Sequence, residues 1–167
     1  MLLLMHHEDC FLQAKSCSAG VLTIGYGHTT TIGKPIVVSG MKITYPEAVI
    51  LLYKDTKKVY DGMQSVQQFD WLQQAALVSF AYNIGIESFN QSTACKRASI
   101  RDVLYRDYSV ALNMQRWNKI GKTTAPGLVR RRSEEAWTLL WRQHVMEIVA
   151  KNAPYLMRGL LIRHTVV

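Results

Sequence analysis

Residues 8–29 read EDCFLQAKSCSAGVLTIGYGHT, and the fold turns on what this stretch does. Upstream and into it, Leu3, Leu4, His7, Phe11 and Ala14 fall along one helical face, so residues 1–14 are expected to form a short helix. From Ser16 to Gly40 the character changes. Gly20, Gly25, Gly27, Gly33 and Gly40 punctuate short β-branched runs, the signature of a small antiparallel sheet. A helix end followed by a hairpin can hold a carboxyl, here Glu8, across from Cys17 and Thr23 as one wall of a cleft. On spacing alone a plainer reading stands beside it: Glu8 as a solvated helix-end carboxylate, Cys17 as a small buried hydrophobe and Thr23 as an ordinary strand residue.

Downstream the pattern is helical. Thr44-Tyr45-Pro46-Glu47 is a capping box with proline in the first turn, which starts a helix carrying Val49, Leu52, Tyr53, Thr56 and Tyr60. Leu72 to Ala81 is apolar nearly all round and predicts a buried central helix. Further helices are expected over 92–97, 100–106 and 108–119, and a long one from Ser133 bearing Trp137, Leu140, Trp141, Val145 and Ile148. The fold class that results is α+β and mostly helical: a small β-lobe over about 15–40 and a helical lobe over about 44–145. Residues 146–167 form a basic tail of no assigned role.

The 167 residues suffice for one domain with a real core, and 49% hydrophobic against 19% charged residues is globular composition. A net charge of +8 makes a polyanionic partner plausible: nucleic acid, an anionic membrane or cell-wall polymer. The basic residues are scattered over helices rather than interleaved with aromatics in a recognisable module, so no nucleic-acid partner is expected. Three cysteines, Cys10, Cys17 and Cys95, are too few for a disulfide framework. The apolar start Met1-Leu2-Leu3-Leu4-Met5 meets His6, His7 and Glu8 at once, short of the roughly 20 apolar residues a spanning helix needs. It also lacks the basic start of a signal peptide, so synthesis in the cytoplasm is expected, with passage to the wall by export, by holin-type release or on lysis.

Three candidate motifs fail. His7-Glu8-Asp9-Cys10-Phe11 begins like a zinc-binding HExxH but ends in Phe11. Gly25-Tyr26-Gly27 lacks the third glycine of a dinucleotide loop, and Cys10, Cys17 and His28 lack metal-ligand spacing. Neither a cofactor nor a metal is expected.

The same 8–29 stretch resembles the lambdoid-type phage lysozymes, the endolysins of glycoside hydrolase family 24. Their signature, a Glu, eight residues, an Asp or Cys, five residues and a Thr, maps onto Glu8, Cys17 and Thr23 and runs into Thr23-Ile24-Gly25-Tyr26-Gly27-His28-Thr29. The likeness continues through Ala76 to Gly85, Ser92-Thr93, Arg116-Trp117-Asn118-Lys119 and Pro126-Gly127-Leu128-Val129-Arg130-Arg131-Arg132, followed by Glu134 or Glu135. It covers about residues 3–142. Asp9 stands where the family usually has Gly, Lys15 where it has an aromatic, and Leu22 where many members have Trp.

The resemblance implies a muramidase that hydrolyses the β-1,4 bond between N-acetylmuramic acid and N-acetylglucosamine in peptidoglycan. It implies Glu8 as the acid, with Cys17 and Thr23 positioning the attacking water. For that task Glu8 must hold a proton near neutral pH; Asp9 beside it would favour this and an arginine from 130–132 would oppose it. Tyr26, His28, Asn83 and Arg131 are candidate substrate contacts. His28 has the alternative of holding the hairpin by hydrogen bonds within the small lobe, and Asn83 of capping the central helix. Trp71 and Trp117 are core by spacing, with sugar stacking as the alternative. A monomer is expected, with peptidoglycan glycan strands as partner and an anionic envelope surface as a further one through the basic C-terminal part. The rival reading is a catalytically impaired relative that binds cell wall or a protein.

Overall fold

The computed structural model describes residues 1–16 and 20–163, with side chains described as far as Val145. Helix α1 spans only Leu2–His7. At Glu8 the backbone turns extended (φ −107°, ψ 135°) while its N–H still donates to the Leu4 carbonyl at 2.9 Å. Strand β1 follows at Phe11–Ser16, which corrects the expected helix over 1–14. The apolar spacing does suit a helix, but the backbone of these residues is hydrogen-bonded along both edges. On one side lies β2 (Leu22–Gly25), antiparallel, with Phe11 opposite Gly25 and Lys15 opposite Thr23. On the other, Ala14 N–H donates to the Met41 carbonyl and Ile43 N–H to the Leu12 carbonyl, each at 2.9 Å. A strand bonded on two sides satisfies more backbone groups than one further turn of a short helix. Strand β3 (His28–Thr29) pairs with β2 and completes a sheet of order β1-β2-β3.

Helix α2 (Tyr45–Gly62) starts at the expected capping box: Thr44 N–H donates to Glu47 Oε2 at 2.7 Å, and Glu47 N–H to Thr44 Oγ1 at 3.4 Å. This helix is the spine between the lobes. Ala48 and Leu52 pack with Leu4 and Tyr26, Leu51 packs with Ile24 and Val37, and Val59 belongs to the core of the helical lobe.

Helix α3 (Trp71–Ile84) is the buried central helix, with Ala76, Leu77, Phe80 and Ala81 wholly inaccessible. It ends at Gly85, whose φ of +90° is a conformation that side-chain-bearing residues rarely adopt. Then come α4 (Ile86–Gln91), which the sequence pattern did not suggest, and α5 (Thr93–Ala98). The expected pair over 100–106 and 108–119 is instead one helix, α6 (Val103–Met114), begun by the Asp102 side chain accepting from Tyr105 N–H at 2.8 Å. A two-stranded hairpin, β4 (Lys119–Ile120) and β5 (Thr123–Thr124), turns at Gly121, φ +60°.

The last helix, α7, runs Pro126–Arg163 and begins seven residues before the expected Ser133. Pro126 fits the first helical position because its missing N–H would have had no intrahelical partner there. Helix α7 packs along α3, burying Ala136, Leu139 and Leu140 against Leu77, Phe80 and Ala81. The early start has a chemical consequence: it places Arg131, Arg132 and Glu135 on the helix itself. Among the described residues no helix is long and apolar enough to cross a membrane.

Candidate active site

The site is built around the residue where α1 becomes extended chain. The Glu8 side chain is 22% exposed, and its Oε1 accepts from Arg131 Nη1 at 2.6 Å. Its Oε2 lies 3.7 Å from where a Cβ on Gly27 would sit, and the Tyr82 ring is equally close to that point. Gly27 adopts φ +87°, so this turn of the hairpin both needs glycine and comes near the carboxyl because it is glycine. Tyr82 fixes the turn from the helical lobe: its hydroxyl donates to the Tyr26 carbonyl at 2.7 Å, and burial pushes its ionisation well above the ordinary tyrosine range.

Behind Glu8 stands a buried charge network. Arg131 also donates Nε–H to Glu135 Oε1 at 3.0 Å and Nη2–H to the Ser79 carbonyl at 3.1 Å. Glu135 is wholly buried and accepts in addition from the Ser79 hydroxyl at 2.7 Å and from Arg132 Nη1. Arg132 donates Nε–H to the Trp117 carbonyl at 3.0 Å and Nη2–H to Asn83 Oδ1, with its guanidinium 4.8 Å from the Phe80 ring centre. Burial pulls the Arg132 pKa down and Glu135 works against that pull. Two guanidinium groups meet two carboxylates here, so the charges balance. Removing one partner of such a buried set costs about 3–5 kcal/mol because another charge is stranded.

The small lobe has its own buried polar pair. His28 is 1% exposed; it donates Nε2–H to the Pro35 carbonyl at 2.9 Å, and its Nδ1 is hydrogen-bonded to Asp55 Oδ2 at 2.7 Å. Burial raises the Asp55 pKa, with the His28 contact opposing. His28 therefore ties β3 to α2 and to the Pro35 loop, as in the alternative reading of this residue.

The remaining candidates fall as follows. Thr23 is half-buried in β2, paired with Lys15 on one side and Thr29 on the other. Cys17 lies outside the described residues. The Tyr26 side chain faces inward, in the cluster with Leu4, Ala48 and Leu52, its hydroxyl donating to that of Tyr45 at 3.4 Å. Asn83 points into the arginine network. Arg131 is buried behind Glu8 rather than open to a ligand. Trp117 packs edge-on against Phe80, whereas Trp71, expected in the core, is 76% exposed at the start of α3, where it is the first helical residue and only the following turns are enclosed. Sequence reasoning missed Ser79 and Asp55, which look like ordinary helix residues; it placed an arginine of 130–132 near Glu8, and the structure shows that this arginine is Arg131.

A helix-end carboxyl, oriented by a buried arginine, faces a glycine turn of a small sheet, an arrangement suited to delivering or taking up a proton in a cleft between two lobes. Comparison with known proteins bears directly on it. The phage lysozyme family model matches residues 5–135. The endolysin of Salmonella phage P22 is 35% identical over 135 residues, covering 80% of this chain and 90% of that protein. Among solved structures, the endolysin from Escherichia coli O157:H7 phage FAHEc1 superposes with a TM-score of 0.70 at 36% identity, covering 83% and 88% of the two chains. The muramidase domain of SpmX from Asticaccaulis excentricus does so with a TM-score of 0.70 at 28% identity, covering 83% and 92%. The chain belongs to the phage lysozyme family, and it is a glycoside hydrolase of the lysozyme type, an endolysin.

Proposed function

We propose that this endolysin cleaves the β-1,4 bond between N-acetylmuramic acid and N-acetylglucosamine, with Glu8 as the general acid. The observation that carries the reading is the two-sided setting of the Glu8 carboxyl: Oε1 held by Arg131 at 2.6 Å, Oε2 turned toward the Gly27 turn. Glycoside cleavage needs a proton delivered to the leaving oxygen and a second group to manage the oxocarbenium-like centre or its water. Holding one oxygen fixes the plane of the carboxyl and so the direction in which the other oxygen delivers a proton once the carboxyl has taken one up. Thr23 and Cys17 carry the second task in this reading, on the strength of the family signature they complete. Thr23 can donate one hydrogen bond and accept others, as a water-orienting group must. A thiol of ordinary pKa near 8.5 is a weak charge stabiliser at neutral pH, so Cys17 orients rather than ionises.

His28, Tyr26 and Asn83 act in this scheme by holding the walls, not by touching sugar. The basic surface adds affinity for the anionic envelope. Mass spectrometry of muropeptides released from purified peptidoglycan tests the proposal. Reducing N-acetylmuramic acid ends are expected. Cyclised 1,6-anhydro ends would mean that no water attacks, and the absence of release would mean an impaired relative that only binds.

A further inference from the structure

We propose that His6, His7 and Glu134 form a binding site for a divalent transition-metal ion of the zinc class, joining the last turn of α1 to α7. Among the described residues, one ligand atom from each of these three side chains lies within 4.8 Å of the others. His6 Nε2 is 3.0 Å and His7 Nε2 3.6 Å from Glu134 Oε2. Two ligands of a tetrahedral zinc, with bonds of about 2.0–2.1 Å, sit about 3.3 Å apart, so both spacings are close to what one ion requires. Only the His6–His7 edge has to shorten, and His6, with a side chain 66% exposed, has room to rotate.

The observation that points to a ligand is His7. Its side chain is 6% exposed, yet its Nε2 is buried without a hydrogen-bond partner and aimed at Glu134. A buried ring nitrogen left unmatched costs free energy, and coordinating an ion removes that cost. A simple histidine–carboxylate contact explains His6 and leaves His7 unexplained. The three residues line a cavity of about 530 Å³ beside Ile120, Gly127 and Leu128, which leaves space for a solvent molecule as fourth ligand. Arg130 and Arg131 line the same cavity. Arg131 is committed to Glu8 and Glu135, but Arg130 leaves the pocket without net negative charge. A hard cation held by charge alone is therefore disfavoured, while two imidazoles select a borderline one. Sequence spacing gave no hint, since Glu134 is 128 residues from His6.

The test uses the untagged full chain with zinc, cobalt and magnesium chlorides. Calorimetry should show one equivalent of Zn²⁺ bound, and the Co²⁺ adduct should have a tetrahedral d–d spectrum. At a hundredfold excess over Kd, Zn²⁺ should raise Tm by roughly 5–10 °C. Mg²⁺ should leave Tm unchanged. His6→Gln, at an exposed side chain, and Glu134→Gln should each weaken Zn²⁺ binding at least tenfold and abolish the cobalt spectrum, with circular dichroism as the check on folding. Absence of a Zn²⁺ effect on Tm, an equal effect of Mg²⁺, or wild-type affinity in both variants would overturn the site.

Discussion

Glu8 gains its position from three separate contacts: the Leu4 carbonyl caught by its own N–H, Arg131 on one carboxyl oxygen, and the bare face of Gly27 near the other. Glu8→Gln keeps size and leaves Arg131 an amide oxygen to donate to. Tm should stay near wild type while peptidoglycan cleavage drops by about 10²–10⁴, the usual worth of a positioned general acid; a folded variant with most of its activity sinks the acid assignment. The second group is tested through Cys17 and Thr23. Cys17→Asp restores the carboxylate that relatives often carry and should keep or raise turbidity clearance, whereas Cys17→Ala and Thr23→Ala should lower it. Three variants indistinguishable from wild type would remove the water-positioning role. At this scale the sequence was partly readable. Spacing alone left Glu8, Cys17 and Thr23 with a plain reading, and the family signature singled them out; the Arg131 partner of Glu8 lies 123 residues away, and no local pattern says which arginine of 130–132 it would be.

Elements explain why the readable parts were readable. The Thr44–Glu47 box and the all-apolar 72–81 run are local signals, and α2 and α3 form where they say. The end of α1 was illegible because Phe11 suits either periodicity, and strand pairing with residues 22–25 and 41–43 decides the outcome. The apolar pattern starts the last helix at Ser133, yet proline at the first position of α7 starts it at Pro126 and so delivers Arg131 and Arg132 to Glu135 at i,i+4 and i,i+3. The Gly27 turn carries the next prediction. Gly27→Ala forces a side chain into φ +87° and sets a methyl 3.7 Å from both Glu8 Oε2 and the Tyr82 ring. The backbone penalty is about 1–2 kcal/mol. Stability should fall by that amount and activity by more than the lost stability explains; a variant as active as wild type would show that the turn does not shape the site. The α2–β3 link gives a pH prediction. With the Asp55 pKa raised by burial, the folded state keeps a proton that the unfolded chain has released above about pH 3.9. The contribution of Asp55 to stability is thus fullest below that pH and is lost as pH rises through the folded-state value. The Tm difference between wild type and Asp55→Asn should decline with rising pH across that window, and a difference that grows instead would mean the carboxyl is stabilised in its charged form.

For the whole molecule the deciding quantity is charge and where it is spent. From Leu128 to Val167 there are seven Lys/Arg (Arg130, Arg131, Arg132, Arg142, Lys151, Arg158, Arg163) against three acids (Glu134, Glu135, Glu147), so +4 of the net +8 lies in this quarter of the chain. Arg131 and Arg132 are neutralised inside the fold by Glu8 and Glu135 and cannot attract a surface. The charge available to an anionic envelope lies in the others, and two of these, Arg158 and Arg163, fall beyond Asn152 with no acid beside them. Among the described residues, those of α7 buried in the core it shares with α3 are Ala136, Leu139 and Leu140, and all three are kept when the chain ends after Asn152. Basic residues near an anionic membrane contribute about 1 kcal/mol each, so losing two should weaken binding to phosphatidylglycerol vesicles roughly 30-fold at low salt. The gap should close as ionic strength rises and the screening length shrinks to about 10 Å at 0.1 M. Hydrolysis of soluble glycan fragments should be unchanged, since every group assigned to cleavage, Arg131 behind Glu8 included, precedes Asn152. If the shortened chain unfolds, or binds vesicles as well as the full one, the C-terminal part is structural and envelope affinity comes from elsewhere on the basic surface.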